Sequence, residues 1–442
     1  MCFCVRWSLE TGMANPLSSR CAVLVTAFAL VLVGCAASQK QDAGAGGAPS
    51  VRPLSTQEKE DFSRWLASFV AEAEAGGLSQ RSLASLRNVQ PNATVLDLDR
   101  RQPEFVRTLQ SYVGSAVDKK RVMEGQALLR KHARILAQIE QAYGVQPRFI
   151  VAFWGMETFY GQNFGGFFVP EALATLAWDQ RRPDFFRAQL LQALSILEEG
   201  HIEPKQMYGS WAGAMGNFQF MPSTFRAHAV DHDRDGRIDI WRSLPDAFAS
   251  AARYLAATGW KRGQTWGRQV TLPKSFDFNL ADLSVSKPLH EWARIGVTQV
   301  GGQPLPKGPD AMQGSVIVPE GANGPAFLVY DNFRSIMDWN RSVLYALAVG
   351  HLADRLVGVQ PFLLASTSSS PLSRADIADM QSLLNKAGYD AGTPDGVPGY
   401  KTRNAVRAFQ NKAGLVPDAY PGRTVLDALR AANVAGHAPR DP

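Results

Sequence analysis

The chain has almost no cysteine, and the few that it has lie at one end. Cys2, Cys4, Cys21 and Cys35 all fall within the first 35 of 442 residues. Because no cysteine follows, the rest of the chain forms no disulfide, holds no metal through thiolates and has no cysteine nucleophile. Any chemistry beyond residue 35 must come from other side chains.

The sequence also lacks a long run of basic residues. Its net charge of +6 comes from lysines and arginines that are scattered along the chain. Clustered basic residues mark nucleic-acid binders, so we expect no nucleic-acid partner. A chain of 442 residues exceeds one ordinary hydrophobic core, and we expect more than one domain.

No apolar run near the N-terminus is long enough to cross a bilayer comfortably. Residues 22–33 have the length of a secretory signal core instead, and Met13 is an alternative start. The run ends in Leu-Val-Gly-Cys at 32–35, which resembles the lipobox of bacterial lipoproteins. It implies a lipid anchor at Cys35 in the periplasm, and Ala36 fits the outer membrane of a two-membrane bacterium. The alternative is a cleavable signal with an incidental cysteine.

Composition and periodicity divide the rest of the chain. Apolar residues recur at helical spacing from Glu58 onward, whereas 271–325 is rich in Pro, Gly and Val and predicts loops and short strands. We therefore expect a mainly α (α+β) protein. The predicted parts are a signal peptide (1–34), a tether (35–55), a catalytic domain (56–360), a linker (361–371), a small three-helix domain (372–432) and a tail (433–442).

One segment combines an apolar helix with a single acid. Pro147 suits a helix start and Gly161 its end, and nearly every position between them is apolar. Glu157 is the only carboxylate, and helical spacing places Phe153, Trp154 and Tyr160 near it. An apolar environment favours the neutral carboxyl, which is what a general acid requires. The other readings are a solvated surface glutamate or a buried one with a structural partner.

A second segment, 209–223, is rich in small residues and carries Gln219. Small residues let the backbone approach a ligand or another helix closely. Tight packing alone would not require the polar members of the segment.

Two parts of the chain resemble known families. The tail has Ile377, Gln381, Asp395-Gly396, Thr402 and Phe409 at the spacing of the small peptidoglycan-binding domain found on wall enzymes. The larger part resembles the membrane-bound lytic murein transglycosylases of the B type, which have a lysozyme-like core with helical and small β-containing parts. The segments that carry this second resemblance are Gly155–Thr158, Ala172–Leu176, Gly213–Ser223, Asp239–Trp241, Trp339–Ser342 and Tyr345–Val349.

The resemblance implies a function and a mechanism. Glu157 would protonate the β-1,4 glycosidic oxygen between N-acetylmuramic acid and N-acetylglucosamine, and the N-acetyl oxygen of the substrate would stabilise C1. Glu157 would then accept the proton of the muramic C6 hydroxyl, which closes a 1,6-anhydro ring. The chemistry requires no cofactor. The partners would be peptidoglycan strands, the membrane through Cys35, and proteins of cell-wall synthesis or remodelling.

The family motifs also suggest sugar-binding residues. They are Ser210, Gln219, Tyr254, Trp339, Asn340, Tyr345 and, with a weaker alignment, Tyr112. The family often has Tyr where this chain has Trp339. We expect Trp339 to keep the stacking on a sugar and to lose the hydrogen bond of the phenol.

An acidic loop suggests a structural Ca²⁺ site. Residues 231–239 resemble an EF-hand loop, although Arg242 stands where the bidentate Glu is expected. Asp246 is the candidate for that last ligand. The predicted ligands are Asp231, Asp233, Asp235, Arg237 through its carbonyl, Asp239 and Asp246. The alternative is a solvated acidic turn.

Two other functions compete with the transglycosylase. A muramidase that uses water would need a second carboxylate near Glu157, and the nearest in sequence are Glu171 and Asp179. A non-catalytic wall-binding lipoprotein would not need an acid in an apolar helix.

Overall fold

The structure is a computed structural model that describes residues 51–100, 107–307, 312–364 and 372–436. Cys35, the predicted signal peptide and most of the predicted tether lie outside these ranges. Within them, no helix has both the length and the apolar character needed to cross a membrane.

Helices build the larger part of the molecule. The first begins at Thr56, two residues before the periodic pattern, and the preceding Ser55 caps it through a capping box with Glu58. These helices and one small ladder share one hydrophobic core. In chain order they are α1 (Thr56–Ala75), α2 (Gln80–Leu83), α3 (Ala93–Arg100), α4 (Leu109–Ala116), α5 (Lys119–Lys131), α6 (Ala133–Tyr143), α7 (Pro147–Thr158), β1 (Phe167–Phe168), α8 (Val169–Trp178), α9 (Pro183–Glu198), β2 (Tyr208–Gly209), α10 (Pro222–His228) and α11 (Leu244–Ala257).

A five-stranded antiparallel sheet follows, with its own core around Trp292 and Leu328. It begins at Gly267 and ends at Val329, so the predicted 271–325 region is more regular and slightly longer than expected. Its strand order is β4-β6-β7-β3-β5. The elements are β3 (Gly267–Thr271), β4 (Lys287–Pro288), α12 (Leu289–Ile295), β5 (Thr298–Gln299), β6 (Gln313–Ile317) and β7 (Ala326–Val329).

Two helices then return to the helical core. They are α13 (Asp331–Trp339) and α14 (Val343–Leu356), and the Ser342 side chain caps the second. Helix α14 packs against α7 and is buried along most of its length. This packing brings residues near 340 beside the helix that carries Glu157.

The C-terminal domain has three helices around a small core: α15 (Arg374–Lys386), α16 (Tyr400–Lys412) and α17 (Arg423–Gly436). The predicted N-terminal cap is present, because Ser373 and Asp376 form a capping box. Gln381 is buried and donates to the Thr402 hydroxyl over 3.0 Å, while it accepts from the Gly396 N–H over 2.9 Å. The polar residues of the tail pattern therefore hold its turn to its helices.

Candidate active site

Glu157 lies near the C-terminal end of α7, a helix that is mostly buried. Residues from Phe149 to Gly155 are buried, as the apolar pattern predicts. The helix ends at Thr158, three residues before the predicted end at Gly161, because Phe159 and Tyr160 adopt φ values of 51° and 60°. Such left-handed backbone ends a helix. Glu157 is therefore the second-last helical residue.

The immediate partners of Glu157 come from α13 and α14. The Trp339 indole N–H donates to Glu157 Oε1 over 3.1 Å, and the Tyr345 hydroxyl donates to the same oxygen. The residue keeps a little solvent exposure, but its carboxyl lies deep among side chains. Burial raises the pKa of Glu157 to about 7, and the two hydrogen bonds offset part of that rise.

The neighbours predicted from helical spacing are placed differently. The Tyr160 hydroxyl donates to the Arg121 carbonyl, and the Trp154 indole donates to Asn217 Oδ1, so both bond away from Glu157. Phe153 packs against Trp339, with ring centroids 4.5 Å apart. Helical spacing could not predict the hydrogen-bond partners of Glu157, because they lie more than 180 residues further along the chain.

The glycine-rich segment forms a tight loop beside α7. Ser210 accepts from the Ala214 N–H over 3.0 Å, and Gln219 has φ 50° and donates to the Phe164 carbonyl. Both side chains therefore hold the shape of the loop. Gly213 has φ +86°, where a side chain is strained, and a Cβ there would also lie 2.4 Å from the end of the Leu173 side chain.

Asn217 joins this loop to α7, a role that the sequence reading missed. Its amide donates to the carbonyls of Ile240 and Trp241 over 2.9 Å, and its oxygen accepts from the Trp154 indole over 2.8 Å. The Thr158 hydroxyl donates to the Asn217 carbonyl over 2.8 Å. Its place among small residues was the available signal, since a buried amide needs several partners.

Aromatic rings line one side of the site. Tyr254 packs against Trp339, with ring centroids 4.9 Å apart, and Phe220 lies 5.5 Å from Trp339. His228 stacks on Tyr254 at 4.7 Å with an angle of 25°. The sequence reading did not single out Phe220 or His228. The rings form a partly exposed apolar wall of the kind on which a sugar face stacks.

The last two predicted residues are Asn340 and Tyr112. Asn340 is largely buried, and its Oδ1 has no hydrogen-bond partner among the described residues. Tyr112 lies on α4. Burial is the main reason that the pKa of its phenol rises to about 12, and the Glu157 carboxylate contributes to the rise.

The acidic loop brings together three of the six predicted ligands. Carboxylate oxygens of Asp231, Asp233 and Asp246 lie within 4.8 Å of one another. Asp235 and Asp239 lie outside this group, and their oxygens accept backbone N–H groups of the following residues. Three clustered carboxylates fit a hard cation such as Ca²⁺.

Asp246 also has a structural role. It is fully buried and accepts the N–H groups of His232 and Asp239 over 2.7 and 2.9 Å. Burial raises the pKa of the Asp246 carboxyl, and the hydrogen bonds from the backbone offset part of that rise. One side chain on α11 therefore closes the acidic loop.

Comparison with known proteins gives two family matches. Residues 61–354 match the family described as "Transglycosylase SLT domain", and residues 373–429 match that described as "Putative peptidoglycan binding domain".

Three relatives illustrate the similarity. The crystal structure of SltB3 from Pseudomonas aeruginosa in complex with NAG-anhNAM-pentapeptide is 47% identical, with a TM-score of 0.80, and the match covers 84% of this chain and 99% of that one. Membrane-bound lytic murein transglycosylase B of Escherichia coli (strain K12) is 32% identical over 52% of this chain, and this match spans 62% of that protein. The Escherichia coli lytic transglycosylase Slt35 in complex with calcium is 26% identical, with a TM-score of 0.56, over 66% of this chain and 92% of that one.

Proposed function

We propose that this chain, which belongs to the transglycosylase SLT family, cleaves the glycan strands of peptidoglycan without consuming water. The observation that carries the proposal is the buried Glu157, whose carboxyl has a pKa of about 7. A carboxyl with this pKa is protonated in a useful fraction near neutral pH and can also accept a proton.

The first step breaks the bond between C1 of N-acetylmuramic acid and O4 of N-acetylglucosamine. Glu157 donates its proton to O4, which leaves as a hydroxyl. The N-acetyl carbonyl oxygen of the substrate attacks C1 and forms a cyclic oxazolinium ion. Trp339 and Tyr345 then stabilise the new Glu157 carboxylate through the hydrogen bonds that they already donate.

The second step closes a new ring. The Glu157 carboxylate removes the proton of the muramic C6 hydroxyl, and O6 attacks C1 as the N-acetyl oxygen leaves. The product is a 1,6-anhydromuramic end, and Glu157 is protonated again. The proton balance closes without water.

The hydrolytic alternative needs a second carboxylate, and its candidates are engaged elsewhere. Glu171 accepts from the Asn92 amide over 2.8 Å, and Asp179 pairs with Arg100 over 2.7 Å. In the described part of the chain, no other acid contributes to the pKa shift of Glu157. These contacts favour the transglycosylase over the muramidase.

Substrate contacts follow from the site. The wall of Tyr254 and Trp339 would stack on a sugar ring, and the unpartnered Asn340 oxygen would accept from a sugar hydroxyl or N-acetyl N–H. Ser210 and Gln219 would act through the loop that they shape. The C-terminal domain would hold the wall polymer near the cleft.

The membrane anchor and the metal site are also part of the proposed function. A lipid anchor at Cys35 would place the chain at the periplasmic face of the outer membrane, next to an immobile substrate. A structural Ca²⁺ held by Asp231, Asp233 and Asp246 would stabilise the loop before α11. It would take no part in the bond cleavage.

The deciding experiment is mass spectrometry of purified peptidoglycan after digestion with residues 36–442. We expect 1,6-anhydromuramic ends, and we expect none from Glu157→Gln. Reducing ends, heavier by one water, would indicate a muramidase. No products, with wall binding retained in both proteins, would favour a non-catalytic scaffold.

A further inference from the structure

Glu320 lies where three parts of the molecule meet. It belongs to the loop between β6 and β7, and its Oε1 accepts the Leu109 N–H over 2.8 Å. Its charge also acts on Tyr420 of the C-terminal domain, where, after burial, it is the main electrostatic cause of a raised phenol pKa. One carboxylate thus faces the sheet, the helical core and the C-terminal domain.

The contact with Leu109 is a helix cap. Leu109 is the first residue of α4, and the Thr108 side chain accepts from the Ser111 N–H over 3.1 Å. Glu320 therefore supplies, from 211 residues away, an acceptor for a terminal N–H group that the helix cannot satisfy itself. A carboxylate suits this place, since the N-terminus of a helix carries partial positive charge.

Helix α4 is short, so its ends decide where its side chains lie. It has eight residues and is anchored in the core by Leu109 and Val113. Between these anchors lies Tyr112. Helix α4 packs against α14, which carries the Tyr345 hydroxyl that bonds to Glu157, and the Glu157 carboxylate also raises the pKa of the Tyr112 phenol. A shift at the start of α4 would move Tyr112 relative to Glu157.

The C-terminal domain holds the Glu320 loop from the other side. The Ala322 N–H donates to Asp418 Oδ2 over 2.9 Å. A Cβ at Gly321, which has φ +80°, would lie 2.7 Å from the same Asp418 oxygen and 3.0 Å from Tyr420 Cβ. The loop is confined between α4 and the C-terminal domain.

We propose that Glu320 is a positioning residue for the glycan-cleaving site, and that it acts through the N-terminus of α4 on the placement of Tyr112. The inference rests on the proposed function, because Tyr112 matters only if the cleft binds and cleaves glycan.

The test is a double-mutant cycle in the full-length protein, with kcat and KM measured on purified peptidoglycan. We expect Glu320→Ala to lower kcat/KM about fivefold, because the loss of a cap shifts the equilibrium of a helix end by about that factor. In a Tyr112→Ala background, the same change should cost less than about twofold. Glu320→Gln should recover most of the activity, since its amide oxygen can still accept the Leu109 N–H.

Glu291→Ala is the matched control. Glu291 pairs with Lys287 over 3.5 Å in the same sheet region, and we expect Glu291→Ala to leave kcat/KM unchanged. Equal losses from Glu320→Ala with and without Tyr112, or an unchanged kcat/KM in Glu320→Ala, would overturn the proposal. A wild-type protein that releases no glycan fragments would instead refute the proposed function, so the two failures are distinguishable.

Discussion

Tyr345 donates its hydroxyl to the carboxyl group of Glu157, across 188 residues of sequence. A hydrogen bond to the charged form of an acid lowers the pKa of that acid. This bond therefore acts against burial, which is the main cause of the raised pKa of Glu157.

Tyr345→Phe should move the pH dependence of cleavage. Since Glu157 must hold a proton to act as the acid, kcat/KM of the wild type should fall as pH rises through about 7. Without the Tyr345 hydroxyl the pKa of Glu157 rises, so the fall should begin about one pH unit higher. The pH profile of glycan release measures this. A fall at lower pH in the variant would contradict the assignment.

Glu157→Gln should stabilise the fold at high pH. The folded protein holds the Glu157 proton more tightly than the unfolded chain, so folding stability falls as pH rises from about 4.5 to about 7. Glutamine avoids this loss. We expect the free energy of unfolding to increase by up to about 3 kcal/mol at pH 8 and to change little at pH 4. Urea denaturation at pH 8 and at pH 4 measures this difference. An equal effect at both pH values would contradict a raised pKa of Glu157.

Calcium should raise the melting temperature if the acidic loop binds it. A saturation of about 100 times Kd corresponds to about 2.7 kcal/mol of stabilisation. Asp231→Asn should abolish the response, because Asp231 belongs to the three-carboxylate group. Asp235→Asn should keep it, since the Asp235 carboxylate lies outside that group. Identical melting curves with Ca²⁺ and with EDTA would refute the site.

The C-terminal domain should loosen in Asp282→Asn. Arg407 of α16 pairs with Asp282 over 2.6 Å and also donates to the Ala281 carbonyl over 2.8 Å. The pair is mostly buried, so its loss should weaken docking by about 1.5–3 kcal/mol, the range for a hydrogen bond to a charged group. Hydrogen exchange should rise around Asn279 and along α16, with α15 unaffected. Asp390→Asn is the control, because it alters an exposed pair with Lys401 and the acceptor of the Gly392 N–H, both within the C-terminal domain.

The sequence predicted the parts of the site that depend on local pattern. An apolar helix with one acid located Glu157, and the Ser373 cap located the start of α15. It could not predict that Trp339 would donate to Glu157, because that contact depends on how α13 and α14 pack. Position 339 has no phenol hydroxyl, and its indole N–H supplies a different hydrogen bond, to Glu157.

The acidic loop shows the same limit. The EF-hand spacing predicts Asp235 and Asp239 as ligands. Both lie outside the three-carboxylate group, and their carboxylates accept hydrogen bonds from nearby backbone N–H groups. Short polar side chains often bond to nearby backbone in this way. Asp246, the predicted last ligand, does lie with Asp231 and Asp233, and it comes from the first turn of α11.

The early end of α7 has an electrical consequence for Glu157. The aligned peptide dipoles of a helix place partial negative charge at its last turn, and Glu157 is its second-last residue. That charge opposes ionisation of the carboxyl in addition to the effect of burial. Because it comes from the backbone, this contribution persists whether the cleft is empty or filled, and Glu157 is biased to hold its proton before a glycan strand arrives.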